Sequence, residues 1–265
     1  MKIFEIYDNE NVLSIGVLLY YEKEKTFIIE LQEYLDEWNA PLLFSSLVKR
    51  GIYSVPRNLS LTWVQGRIIP PGRQNISSIL STHKLKEYDE MKFLEISEGR
   101  CSQDNMYIRK LEVIPPFLEE RMNHNLLDCT PIGNHNLLCF FRDNTVKKIS
   151  LTEFTTYTGI DKVLANDLLF KSCRLGTDGF YITFNNSIDI PSWTLYEKGQ
   201  LVPIEYEDFL SFINNNLVDT SASCALLECS RQNLAYMVGQ DQLHPVKENV
   251  KGNLYLKKDV LGNMW

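Results

Sequence analysis

Thr220-Ser221-Ala222-Ser223-Cys224-Ala225-Leu226-Leu227-Glu228-Cys229-Ser230-Arg231-Gln232-Asn233-Leu234-Ala235-Tyr236-Met237-Val238 carries the sharpest local signal in the chain. Thr220 reads as the cap of a helix over 221–227. Glu228-Cys229 reads as a turn, and Ser230 as the cap of a second helix over 231–238. A short polar loop leads to Leu243-His244-Pro245-Val246-Lys247, then to Gly252-Asn253, Leu254-Tyr255-Leu256 and Lys257-Lys258-Asp259-Val260.

This order resembles the excisionase and MerR-like winged helix-turn-helix. Leu227, Ser230, Arg231, Gln232, Leu234, Leu243, Pro245, Val246, Asp259 and Val260 fill matching positions. The resemblance implies a recognition helix whose first residues enter the major groove of double-stranded DNA, where polar side chains read base edges and the helix end favours phosphate. The expected DNA-binding residues are then Ser230, Arg231, Gln232 and Asn233 at the helix start and Tyr236 one turn beyond Gln232. Lys247, Lys251 and Asn253 are expected to contact phosphate from the wing. Gly239-Gln240-Asp241 departs from the family pattern by placing an acid before the loop. The competing reading is a polar helix start on a module that docks protein.

Charge sharpens that choice. The 265 residues carry a net charge of −7, and only residues 220–265 are not acidic, at +1. An acidic body is a poor general nucleic-acid binder, so any DNA contact is expected to be confined to the tail. A tail of +1 carries fewer cations than a protein making ~6–10 phosphate contacts, which favours protein docking slightly.

Upstream, 1–7, 14–21 and 26–31 read as three strands broken by Asp8-Asn9-Glu10-Asn11 and by the charged loop Glu22-Lys23-Glu24-Lys25. Residues 42–47 are apolar, and 73–83 and 84–97 read as helices, the first with Ile76, Ile79 and Leu80 on one face. Gly16-Val17-Leu18-x-Tyr20, Ala40-Pro41-Leu42-Leu43-Phe44-Ser45-Ser46, Arg67-Ile68-Ile69-Pro70-Pro71-Gly72-Arg73-Gln74-Asn75 and Gly99-Arg100-Cys101 follow one another in an order that resembles the N-terminal subdomain of the HipA kinase family. The turn departs from the family where proline replaces its glutamate. The kinase core is missing: no phosphate-binding Gly-x-x-x-x-Gly-Lys-Ser/Thr and no metal-holding catalytic loop follows. The resemblance therefore implies a partner-binding domain without catalysis, with a toxin kinase or another protein as the partner.

Pro115-Pro116 marks the next boundary. A short helix is expected over 119–127, then a hairpin with strands 136–141 and 145–149 about Asp143-Asn144. A second hairpin, 181–184 with 187–190, is expected about Asn185-Asn186. Phe140-Phe141-x-Asp143-Asn144-Thr145-Val146-Lys147-Lys148-Ile149 and Phe184-Asn185…Ile188-Asp189-Ile190-Pro191 resemble a small bacterial domain of unknown function found beside toxin-antitoxin genes.

The fold class expected is thus α+β multidomain: a β-rich HipA-N-like domain over 1–113, a small α+β domain over 114–212, and a winged helix-turn-helix over 213–265. The function expected is a bacterial, antitoxin-like transcription regulator, with a non-enzymatic adaptor as the alternative. No cofactor and no catalytic residue are expected. Cys101, Cys129, Cys139, Cys173, Cys224 and Cys229 show no Cys-x-x-Cys pair and the four histidines are dispersed, so they read as buried reduced thiols and not as metal ligands. Trp38, Phe44 and Trp63 read as core aromatics. Glu119-Glu120 and Asp128 near His124 read as a solvated helix face, and only secondarily as an acid–base pair. The longest apolar runs are strand-length, so no membrane span is expected, and the charged start lacks the apolar stretch of a signal peptide. These features place the protein in the cytoplasm. A homodimer would match two DNA half-sites, although no dimer helix is visible in the sequence.

Overall fold

The computed structural model describes residues 1–155, 157–201, 204, 206–250 and 252–264. The chain is a mixed α+β protein of several small antiparallel sheets, divided into two compact units, Met1–Glu119 and Glu120–Trp265. The boundary expected near 212–213 falls inside the second unit. Among the described residues no helix is long and apolar enough to cross a membrane.

In the first unit β1 (Lys2–Asp8), β2 (Leu13–Tyr21) and β3 (Thr26–Leu31) form the meander that the sequence announces. A fourth strand, β4 (Met106–Leu111), pairs antiparallel with β1 from about a hundred residues away, giving the order β3-β2-β1-β4. Ile6, Ile15, Leu18, Ile29 and Leu31 form one buried face of the sheet. Phe44 of α1 (Leu42–Val48), Trp63 and Val64 of α2 (Arg57–Gln65) and Met91 and Leu94 of α4 (Glu90–Ser97) pack on it, while the short α3 (Ile76–Thr82) buries none of its residues completely. Ile76, Ile79 and Leu80 are half-buried. The helix expected from residue 84 starts only at Glu90, because the Asp89 side chain accepts the Lys92 N–H and fixes the first turn there.

Trp38 corrects the aromatic grouping. Phe44 and Trp63 are core, but Trp38 is 87% exposed. It sits in a turn whose Trp38 and Asn39 N–H groups donate to one Asp36 carboxylate oxygen, which holds the indole outside the sheet–helix layer.

Two segments distant in sequence, the end of α2 and the turn before β4, meet at Arg67. Its guanidinium grips Asp104 with both terminal nitrogens, donates to the Gly99 carbonyl at 3.1 Å, lies 3.1 Å from the Cys101 sulfur and stacks 4.0 Å over Trp63. Burial raises the Asp104 pKa, but the Arg67 fork and the Met106 N–H outweigh it and hold the carboxyl below its ordinary value.

The boundary between the units falls within α5 (Pro116–Met122), which ends before Leu126, where a strand of the second unit opens. The helix expected through Leu127 is therefore too long. Leu126–Ile132 is β5, paired with β6 (Asn136–Phe141), and β7 (Val146–Ser150) follows. Helices α6 (Ile160–Leu164) and α7 (Asp167–Lys171) lead to β8 (Cys173–Leu175), β9 (Tyr181–Phe184) and β10 (Ile188–Pro191), a second sheet in the order β10-β9-β8. Asn185 and Asn186 both have positive φ, and with Ser187 they form the three-residue loop between the paired Phe184 and Ile188. After α8 (Ser192–Lys198), β11 (Gln200–Leu201) completes the first sheet as β11-β7-β6-β5. Phe141, Phe154, Ile160, Phe184, Ile190 and Leu195 fill the core between these elements. Helix α9 (Tyr206–Asn216) then leads into the tail.

Asp128 does not lie on a helix face with His124: it sits in β5. His124 stacks on Tyr196 at 4.0 Å, and the Tyr196 hydroxyl donates to Asp143 at 2.6 Å. Asp128 points elsewhere and is buried. One of its oxygens accepts the Cys129 N–H at 2.8 Å, and among the described residues the other has no hydrogen-bond partner. Burial pushes its pKa up to about 6, against the opposing pull of Lys258 and the Cys129 N–H. A carboxyl that holds its proton more tightly when folded favours folding below pH ~4, and that contribution is lost as pH rises through 6. Asp128→Asn is expected to raise stability at pH 8 by on the order of 2 kcal/mol and to remove most of the dependence between pH ~4 and ~7. Urea denaturation at both ends of that range checks this, and an unchanged pH profile would refute it.

Candidate nucleic-acid interface

The tail is built on a three-stranded antiparallel sheet in the order β12-β14-β13, from β12 (Leu217–Asp219), β13 (Pro245–Val250) and β14 (Gly252–Leu256). Between β12 and β13 the chain forms α10 (Thr220–Leu226), a tight turn and α11 (Arg231–Gly239), and α12 (Lys257–Gly262) follows β14. Leu234, Leu243, Tyr255 and Val260 are the buried centre of this small core.

Both helix starts are capped. Ser230 accepts the Asn233 N–H at 3.2 Å, as the sequence implies. The cap of α10 is Asp219, one residue earlier than expected, which accepts the Ala222 N–H at 2.7 Å. Thr220 is instead the first helical residue, and its hydroxyl accepts the Asn253 N–H at 3.3 Å, tying α10 to the start of β14.

Burial of Leu234 turns the opposite face of α11 outward. Arg231, Gln232, Asn233 and Tyr236 are all exposed, Tyr236 by 61%. Gln232 and Tyr236 share a face one turn apart. The Arg231 guanidinium donates to the Ser221 hydroxyl of α10 at 3.0 Å, a positioning contact that the sequence reading missed. Its only signal was a hydroxyl ten residues upstream, which has no fixed spacing across a turn.

The expected wing residues differ from one another. Lys247 is exposed on β13, opposite Leu254. Asn253 is half-buried, with its backbone N–H on Thr220 and its side-chain amide 3.4 Å from the Tyr255 hydroxyl, so its polar groups serve the fold of the tail. Lys251 lies outside the described residues. Acids stand among these cations: Glu228, Asp241 and Glu248 are exposed on the turn, the loop and β13.

Among the described residues no group of three or more His, Cys, Asp or Glu side chains is arranged to hold a metal ion. No protein-family model matches the chain, and no curated protein and no solved structure is significantly similar to it.

Proposed function

We propose that the chain is a DNA-binding transcription regulator of the antitoxin kind. Its winged helix-turn-helix tail contacts double-stranded DNA, and its HipA-N-like domain engages a partner such as a toxin kinase. The supporting observation is the exposed start of α11, where Arg231, Gln232 and Asn233 project from a helix anchored by Leu234. Arginine pairs bidentately with guanine, and glutamine or asparagine with adenine. The Arg231–Ser221 bond is exposed and therefore weak enough to be exchanged for a base.

Mobility shift with the protein's own upstream DNA tests this reading. Arg231→Ala is expected to lower specific affinity roughly ten- to hundredfold, or ~1–3 kcal/mol, while folding is retained. Lys247→Ala, which removes a phosphate contact, should weaken all sequences about equally and reduce the salt slope by about one unit. An Arg231→Ala protein that binds the operator as tightly as wild type would show that α11 does not read bases.

Exposed Glu228, Asp241 and Glu248 favour a second reading, in which the tail docks protein and the chain is a non-enzymatic adaptor. Acids beside phosphate repel, whereas mixed charge suits a protein surface. Failure to retard any duplex even at low salt would select it.

A further inference from the structure

The six free thiols occupy distinct environments. Cys129 and Cys139 face each other across β5 and β6 with sulfurs 3.3 Å apart, but both are buried. Cys173 is partly exposed as a residue, yet its thiol is enclosed against Cys129. Cys101 rests on the Arg67 guanidinium. Cys224 and Cys229 combine what the others lack: both are half-buried, both pack against the small core of the tail, and a backbone hydrogen bond joins them.

The backbone brings the two residues together. Glu228 takes a left-handed φ of 51°, which turns the chain so that the Cys229 N–H reaches back to the Cys224 carbonyl at 3.0 Å. This is the closing bond of a Schellman turn, and the two residues that it joins ordinarily pack their side chains together. Here both of those side chains are thiols, and Cys229 immediately precedes the Ser230 cap of α11.

We propose that Cys224 and Cys229 form an oxidisable dithiol that a low-molecular-weight disulfide, such as oxidised glutathione, converts to an intramolecular disulfide. The Cys229 thiolate attacks one sulfur of oxidised glutathione, breaks its S–S bond and releases one glutathione. The Cys224 thiolate then attacks the Cys229 sulfur of the mixed disulfide and releases the second. The two protons lost by the protein pass to the two glutathione thiolates, the dithiol is oxidised by two electrons, and the glutathione disulfide is reduced. Burial and the neighbouring Cys224 raise the Cys229 pKa, so the thiolate fraction, and with it the rate, climbs with pH.

The test treats the reduced full-length chain with oxidised glutathione, quenches with an alkylating agent and maps the products by mass spectrometry. The expected product has lost two hydrogens and two of its six thiols, with Cys224 linked to Cys229, and forms faster at higher pH. Cys224→Ala should stop at a stable glutathione adduct on Cys229, and Cys139→Ala should behave as wild type. A wild-type chain that retains all six thiols, accumulates the adduct, or links Cys129 to Cys139 or Cys173 would overturn the proposal. The wild-type map decides even if a variant does not fold. The outcome is independent of whether the tail binds DNA.

Discussion

Gly16→Ala is expected to destabilise the first unit by about 3 kcal/mol, at the upper end of what overpacking a core costs. Gly16 lies in β2, flanked by both neighbours, opposite Ile6 of β1 and Leu31 of β3. A Cβ added there would stand 2.2 Å from the Glu30 carbonyl oxygen and 2.9 Å from the Leu31 Cα. Both are backbone atoms, so no rotamer change relieves the clash, and β3 must move away from β2. Urea denaturation followed by tryptophan fluorescence reads this directly. A variant within about 1 kcal/mol of wild type would mean that β2 and β3 are not paired as described.

Arg67→Ala is expected to cost about as much, ~3 kcal/mol, because it removes the buried guanidinium of an ion pair whose carboxylate is only partly exposed. The side chain of Arg67 is 4% exposed, and its loss strands the Asp104 carboxylate, uncovers Trp63 and leaves the Gly99 carbonyl without its donor. Lysine should not rescue it, since one ammonium cannot span both Asp104 oxygens and stack on the indole. The pH dependence provides a second readout. With its pKa held below the ordinary carboxylate value, Asp104 contributes stability above pH ~4 that is lost as pH falls further. The Arg67→Ala chain should lack that acid-side loss, and equal acid sensitivity in both proteins would rule out the Arg67–Asp104 pair as its source.

Local signals made much of this architecture legible. The β1–β2–β3 meander follows from apolar runs interrupted by Asp8-Asn9-Glu10-Asn11 and Glu22-Lys23-Glu24-Lys25. The Asn185-Asn186 turn is readable because asparagine tolerates positive φ. Ser230 was readable as a cap for the same local reason. What stayed hidden depends on partners distant in sequence. β4 exists as a strand because β1 supplies its ladder, and Met106–Leu111 alone does not announce it. Leu126-Leu127 continues a helical pattern, but pairing with Phe141 and Phe140 pulls the segment into β5. Trp38 was assigned to the core on its chemistry alone, whereas the Asp36 turn decides where it points. At the candidate interface, Arg231, Gln232, Asn233, Tyr236 and Lys247 are all exposed. The internal engagements of Arg231 and Asn253 required the three-dimensional arrangement.

Asp219 belongs to two elements at once, as the last ladder residue of β12, opposite Leu254, and as the cap of α10. Strand alignment and helix phase therefore meet in one residue, its backbone in the ladder and its carboxylate on the helix start. A one-residue slip of β12 along β14 would exchange the faces of Leu217 and Val218 and would also withdraw the carboxylate from the Ala222 N–H. The neighbouring Thr220 hydroxyl would leave the Asn253 N–H in the same movement. Misalignment thus loses ladder, cap and latch together, so the junction works as a proofreading joint for assembly of the tail. A single-residue insertion at 219–220 would be far more damaging than one of equal length in the exposed loop at 240–242.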